Sequence, residues 1–398
     1  MVSESVPSAQ LPPRKIILLL AVAAFSSTSA FRVFDPALPQ LSQEFEVSVG
    51  RAAEVITWFV LAYGVLQFFY GPVGDRFGKF RTLAFATLGC AVGNVIVALA
   101  PTFEWVLVGR LISGATAAAI VPLSMAWIGD HVPYEHRQVT LAQFMIGTIL
   151  GMSAGLVLGG IFTDTLGWRW SFVFLALLYT VVGVWLVRNL KLVPEARASD
   201  AGLQLIEPVM SVLRLAWARI VLLVVLIEGA LVFGGLSFVP AFLQKSLGMS
   251  STQAGLITAF FGFGALLYVV AAKWLVRQVG EVKLTFLGGW LLGACYLLYL
   301  LSANWLWAVL ASIFSGLGYY FLHAVLQTNA TQMAPQVRGT AVSLFACFLF
   351  GGQALGVALG AWVVDQAGIS WVLIGACAAL PVLGMGFSYC LAYKRPKT

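Results

Sequence analysis

The chain shows neither the two-residue alternation of half-buried strands nor the narrow apolar stripe of surface helices. It is a series of long apolar runs separated by short clusters of charge, Gly, Pro or Asn. A run of about 20 such residues crosses the hydrocarbon of a bilayer as an α-helix. Breaking the chain at these clusters predicts twelve crossings, over about 16–39, 53–73, 82–101, 104–128, 138–162, 169–188, 219–242, 252–276, 284–302, 305–328, 339–364 and 370–393. The uncharged stretch Leu284–Val337 is too long for one crossing and is divided at Ser302-Ala303-Asn304. An even number of crossings places both termini on one side.

Composition agrees with this pattern. Of 398 residues, 60% are hydrophobic and only 10% charged, with a mean hydropathy of +0.93. A soluble domain carries about 25% charged residues. A soluble enzyme, a nucleic-acid binder and a disordered scaffold are thereby excluded, and membrane lipids become the first expected partners. The net charge of +7 then reads as loops facing anionic lipid. The five cysteines (Cys90, Cys295, Cys347, Cys377, Cys390) all fall inside apolar runs. Without paired spacing they read as packing residues, with no disulfide and no metal site. The apolar run after Arg14-Lys15 is too long for a cleavable signal core and reads as the first crossing.

Lys and Arg are strongly asymmetric across these crossings. With both termini in the cytoplasm, only Arg51, Arg169 and Lys245 fall in outer segments, and Arg32 and Arg110 lie inside helices. Every other Lys and Arg is then cytoplasmic, as the positive-inside rule requires. The expected location is a plasma membrane, the inner membrane in a bacterium. The longest loop, about 189–218, carries Pro194 and Pro208 and separates an N-terminal half (1–188) from a C-terminal half (219–398). Its second part, Leu203–Ala218, mixes apolar and basic residues and is expected along the inner membrane face.

The halves repeat at an offset of 201 to 202 residues. Ser113-Gly114 matches Ser315-Gly316, and Pro133 matches Pro335. Arg137, Gly151, Gly155, Gly159, Asp164, Gly167 and Trp170 match Arg338, Gly352, Gly356, Gly360, Asp365, Gly368 and Trp371. Phe77-Gly78 aligns with Val279-Gly280, and Pro39 and Gln43 with Pro240 and Gln244. Six crossings per copy give both halves the same orientation, as in transporters that rock about a midplane site.

After the second crossing the chain reads Gly71-Pro72-Val73-Gly74-Asp75-Arg76-Phe77-Gly78-Lys79-Phe80-Arg81. This resembles the signature of the major facilitator superfamily, Gly-x-x-x-Asp-Arg-x-Gly-Arg-Arg, in location as well as spacing. The resemblance covers the whole chain and implies an all-α polytopic membrane protein: twelve transmembrane helices in two pseudo-symmetric six-helix halves. In physical terms the glycines let two helix ends approach. Asp75 is expected to accept from the N–H groups of a neighbouring helix end and to pair with a nearby Arg, with Arg76, Lys79 and Arg81 close by, as a latch that breaks when the halves rock; the alternative is a plain positive-inside anchor with one incidental acid. The second copy has Arg277 where Asp75 stands. Arg110, followed by Ser113-Gly114, is similar to the family's second motif, whose buried arginine is associated with proton coupling. The loop Gly129-Asp130-His131-Val132-Pro133 also looks like a family element.

On the fifth crossing Gly147, Gly151, Gly155 and Gly159 stand four apart, with Gly160 following. They form one stripe for close helix packing. The stripe resembles the family's antiporter signature, but Leu156 occupies the place of its proline.

Ionisable groups inside a membrane are costly and mark candidate function. Here they are Arg32, Asp35, Arg110, Glu228 and His323. Asp35 and Arg110 fall in the outer thirds of the first and fourth crossings and are expected to meet. Thr28, Arg32 and Asp35 share a helix face at spacings of four and three. Phe34-Asp35-Pro36-Ala37-Leu38-Pro39 resembles the acidic Asp-x-x-x-Pro element of drug:proton antiporters. A neighbouring Arg favours the charged form of Asp35 and burial the neutral form, so a cavity that opens and closes changes its proton affinity. The plain alternative is a permanent ion pair holding two helices together. Glu228, beside Gly229 and before Gly234-Gly235, reads as a second protonation site, a contact for cationic substrate, or a protonated acid bonded to a neighbour. His323, near the inner end of its crossing, reads as a weaker candidate or a satisfied polar group. Trp58, Tyr63, Phe261, Tyr268 and Tyr319 are candidate walls for a lipophilic cation.

The resulting expectation is a monomeric, proton-coupled secondary transporter that exports small amphipathic or drug-like compounds by alternating access. It uses the proton gradient and no cofactor. The alternative is a proton symporter or facilitator for a small metabolite. No nucleophile–base set or metal-ligand cluster suggests an enzyme.

Overall fold

The computed structural model describes residues 14–192 and 206–394. Pro194, Arg197, Arg395, Lys397 and Leu203 of the loop and charge readings lie outside the described residues. Among the described residues twelve helices are long and apolar enough to cross a membrane. They are α1 (Lys15–Glu44), α2 (Val49–Phe77), α3 (Lys79–Ala98), α4 (Phe103–His131), α5 (Glu135–Thr165), α6 (Arg169–Arg188), α7 (Ala216–Leu247), α8 (Ser251–Gln278), α9 (Glu281–Leu300), α10 (Trp305–Gln332), α11 (Pro335–Ala367) and α12 (Ile369–Lys394). All twelve predicted crossings are present. Several run a turn or more beyond the sequence boundaries, because polar first and last turns cap a helix outside the apolar run. The segment before α7 forms a short helix, Ile206–Arg214, which exposes Ile206 and Met210 and buries Val212.

The repeat is visible in the turns. Gly78 between α2 and α3 and its counterpart Gly280 between α8 and α9 have φ of 93° and 78°. A side chain in that left-handed region is strained, so glycine ends the helix there.

The α5 glycine stripe packs on α1. A Cβ at Gly147, Gly151, Gly155 or Gly159 would run into the backbone of Ala21, Phe25, Ser29 or Val33 respectively. Ser29 seals the contact by donating to the Gly151 carbonyl at 2.9 Å. In the second half, Gly352 and Gly356 of α11 lie equally close to the backbone of Leu226 and Ala230 of α7. The small-residue spacing thus brings each pair of helices into backbone contact, where dispersion and carbonyl contacts replace side-chain interdigitation.

The halves meet along α2 with α11 and α5 with α8. Gly64 faces Phe350, Gly50 faces Ala361, and Gly255 faces the Leu156 carbonyl. Two acids at matched repeat positions fasten the end opposite the termini. Asp164, at the end of α5, accepts from the N–H groups of Ser251 (3.0 Å) and Thr252 (2.7 Å), the first residues of α8. Asp365, at the end of α11, accepts from Gly50 N–H (3.0 Å) and the Ser48 hydroxyl (2.7 Å) at the start of α2. Each carboxylate satisfies unpaired helix N-terminal donors and meets the positive end of the macrodipole. A charge-assisted cap of this kind is worth about 0.5–2 kcal/mol. Replacing both acids by Ala should therefore shift the population toward opening at this end by about tenfold or more. Spin labels on Gln43→Cys and Gln366→Cys, in a background without native cysteines, should report longer distances. An unchanged distance distribution would show that the caps do not hold this end.

Candidate functional site

Between the halves lies a cavity walled by Arg32, Met145, Met152, Leu156, Phe261 and Tyr320 among others. The wall is mostly apolar, and Arg32 is its one charged member among the described residues.

Arg32 stands where α1 breaks. Regular α-helix runs Arg14–Arg32, a 3₁₀ turn follows over Asp35–Ala37, and the helix resumes at Leu38–Glu44. Pro36 and Pro39 cause this, since neither supplies an N–H and each ring blocks the preceding turn. The break turns Asp35 back on Arg32. Arg32 Nη2 lies 2.8 Å from Asp35 Oδ2, with side chains 2% and 0% exposed. The same guanidinium crosses to the second half and donates to the Leu236 carbonyl (3.3 Å) and the Ser237 hydroxyl (3.4 Å) of α7. There α7 is also irregular, with a π-helical stretch over Gly229–Phe233. Such interruptions at a half-to-half boundary are where transporters of this architecture place binding groups.

Arg110 does not meet Asp35 as the sequence suggests. Its Nε and Nη1 donate to the carbonyls of Val55 and Ala30, both at 3.0 Å, and its guanidinium lies 3.9 Å from the Phe59 ring centroid. Backbone acceptors and aromatic faces stabilise this charge, and its influence on Asp35 is electrostatic only. Arg110 is fully buried and ties α4 to α1 and α2.

In the second half, Glu228 Oε2 lies 2.8 Å from His323 Nδ1, and both are buried. Tyr319 stacks on the imidazole, with centroids 4.6 Å apart, and Phe345 packs 5.5 Å away. His323 is therefore not an isolated group near a helix end, as its sequence position suggests. It faces Glu228 from inside α10, and the pair needs only one proton to remain neutral. Breaking such a pair on one side costs about 3–5 kcal/mol. His323→Ala should lower stability in detergent far more than Glu228→Gln, which keeps a neutral hydrogen-bonding group. Equal losses in a denaturation series would contradict the pairing.

The glycine–Asp-Arg segment is placed differently from the expected Arg partnership. Asp75 pairs with Lys79 (3.3 Å), and Lys79 reaches Asp130 of α4 at 2.6 Å. Arg76 lies over Phe77 and Arg81 over Phe85. Gly71 has open space around it, whereas a Cβ at Gly74 would meet Leu123 and Lys79. Lys79 thus joins the ends of α2, α3 and α4 within one half.

Of the aromatic candidates, Phe261 lines the cavity and Trp58 does not. Trp58 is exposed in one stripe with Leu61, Val65 and Phe69, the spacing of an outward-facing helix surface. Tyr63 is buried against Phe31 and Phe350, with centroids at 4.5 and 4.9 Å. Tyr268 packs on Tyr320, and Tyr319 covers His323. Sequence reasoning missed Met145, Met152 and Tyr320 in the wall, because period and composition do not reveal which stripe faces a cavity. The caps at Asp164 and Asp365 did leave a signal, since both are matched positions of the repeat.

Twelve membrane-length helices, a broken first helix and a cavity lined from both halves are the features of a membrane transporter. The chain belongs to the Major Facilitator Superfamily, whose family model matches residues 20–250 and 221–398. It is 26% identical over 395 residues to the MFS-type transporter YwfA of Bacillus subtilis (strain 168), covering 96% of this chain and 93% of that one. Citrate exporter 1 of Aspergillus niger is 28% identical over 47% of this chain and 35% of its own. The multidrug export protein EmrB of Haemophilus influenzae is 27% identical over 39% of this chain and 31% of its own. The fold matches the crystal structure of a POT family transporter in complex with a thioalcohol-conjugated peptide. That match has a TM-score of 0.79 and 14% identity, and it covers 96% of this chain and 97% of the other.

Proposed function

We propose that the protein is a proton-coupled secondary transporter that exports small amphipathic compounds by alternating access, with Asp35 as the coupling acid. One observation carries this reading: a fully buried carboxylate, at the break of α1, held against a guanidinium that forms part of the cavity wall. The partner of Asp35 touches both halves, so rocking must remake its contacts and with them the proton affinity of the acid. The partial similarity to two export proteins supports the direction of transport. The positive-inside asymmetry supports cytoplasmic termini in a plasma membrane.

A second reading, co-transport of substrate and proton, has its own support. Leu156 stands where the antiporter signature has proline, and α5 runs unbroken over Glu135–Thr165 past the cavity. The test uses purified protein in liposomes containing a pH-sensitive dye, with amphipathic cations and anions added outside. Proton flux should require both a compound and Asp35, and its sign separates exchange from co-transport. Absence of flux across the whole panel, with folded protein, would move the assignment to an uncoupled facilitator.

A further inference from the structure

The buried charges do not balance. Among the described residues, Arg32 and Arg110 are buried in the first half against Asp35 alone, while Glu228 is matched by His323 in the second. The first half therefore holds an excess positive charge inside the membrane, and a second one whenever Asp35 is protonated. An uncompensated buried charge is costly and favours an arriving counter-charge. Only Arg32 of these groups reaches the cavity wall, while Asp35 lies behind it with no exposed surface. A cation in the cavity would meet a guanidinium and no wall carboxylate. An anion would meet a guanidinium whose fork suits an oxyanion, with the hydroxyls of Thr28, Thr148 and Ser153 in the same wall and the apolar surface of Met145, Met152 and Phe261 beyond.

We infer that the cavity takes an organic monoanion with an apolar body, whose oxyanion head replaces Asp35 at Arg32 and brings one proton onto Asp35. The inference rests on Asp35 as the coupling acid proposed above. When the anion engages Arg32, Asp35 loses its counter-charge in a site without water contact, and its carboxylate takes a proton from the open side. Anion and proton then move together with no net charge, which is the co-transport of the second reading above, and export is driven by the substrate's own gradient rather than by the proton gradient. By linkage the proton favours the anion as much as the anion favours the proton. Other charged and titratable groups also face the pair. Arg110 of α4 gives Nε and Nη1 to backbone carbonyls while its buried Nη2 has no hydrogen-bond partner, and Tyr179 of α6 lies beyond it. Tyr296 and Tyr299 of α9 face Arg32, and both hydroxyls are engaged, with the Val232 carbonyl and Ser312.

The test is calorimetry on the full chain in nanodiscs, in two buffers of different ionisation enthalpy. The probes share a phenylbutyl or octyl body and differ only in a carboxylate, ammonium or hydroxyl head. The carboxylates should bind at least tenfold more tightly than the other two, with one proton taken up for each anion. Their affinity should fall about tenfold per pH unit on the alkaline side, as one linked proton requires. Asp35→Asn should bind the carboxylates without proton uptake or pH dependence. Arg32→Gln should lose them, and since that change leaves Asp35 unpaired, Arg32→Gln/Asp35→Asn serves as the folded control with the same loss. Preference for the ammonium probes, with proton release through Asp35, would overturn the inference and leave the transporter reading standing. Binding by none of the probes to folded protein would also overturn it, with the liposome proton flux still deciding the transporter reading. Proton uptake that persists in Asp35→Asn would remove Asp35 as the coupling acid and sink both.

Discussion

Asp35→Asn should abolish proton-coupled movement of substrate while leaving a folded protein that still exchanges substrate across the membrane. The loss of coupled flux should be about 100-fold or more, equivalent to roughly 2.7 kcal/mol. Asn keeps the size of the side chain and an acceptor for Arg32. The guanidinium also retains its bonds to Leu236 and Ser237, so the loss should not come from unfolding. Counterflow of labelled substrate at equal pH on both sides should persist and lose its pH dependence. If Asp35 instead served only as a structural partner of Arg32, expression and thermal stability would fall together with transport. If coupled flux survived, the Glu228–His323 pair would become the site to test, through Glu228→Gln.

The second large effect concerns the contacts between paired helices. Gly155→Leu should yield no folded protein, and Gly352→Leu should do the same in the other half. At both positions a Cβ already runs into backbone, of Ser29 and Leu226 respectively. Backbone atoms cannot rotate aside as a side-chain tip does, so the helices must separate along their length. Overpacking a core commonly costs about 1–3 kcal/mol, and separating a backbone seam forfeits neighbouring contacts as well. Gly351→Ala and Gly375→Ala, where nothing lies within 4 Å, should be tolerated and gain up to about 1 kcal/mol of helix propensity. Size-exclusion profiles of fluorescently tagged protein in detergent distinguish these outcomes. Folded Gly155→Leu would show that α1 and α5 can part without loss of the fold.

Much of the architecture is legible in the residues alone. The twelve crossings follow from run length and charge placement, and the paired turns at Gly78 and Gly280 from the repeat. The α5 stripe also declared its packing role, because glycine at every fourth position leaves one helix face without side chains. The pairings were less legible. Arg110 and Asp35 sit at similar depth, yet Arg110 turns to the Val55 and Ala30 carbonyls, since α1 breaks just beyond Ala30 and rotates Asp35 toward Arg32. His323 looked isolated because its partner lies 95 residues away on another helix. Lys79, rather than an arginine, joined Asp75 to Asp130, a choice made by the relative tilt of three helix ends.

The sequence by itself determined that this chain lives in a membrane, how many times it crosses, where it repeats and which few ionisable groups it carries inside. Those properties are local or periodic: each depends on the transfer cost of a run of residues or on a spacing along one helix. Only the tertiary structure decided which of those groups meet, which one faces the cavity and which stripes turn to lipid. These depend on helix rotation and on the two irregular segments of α1 and α7, where a shift of one residue turns a side chain by about 100° about the helix axis. The same rotation leaves Arg32 on the cavity wall and Asp35 behind it, and so sets the charge that a substrate meets.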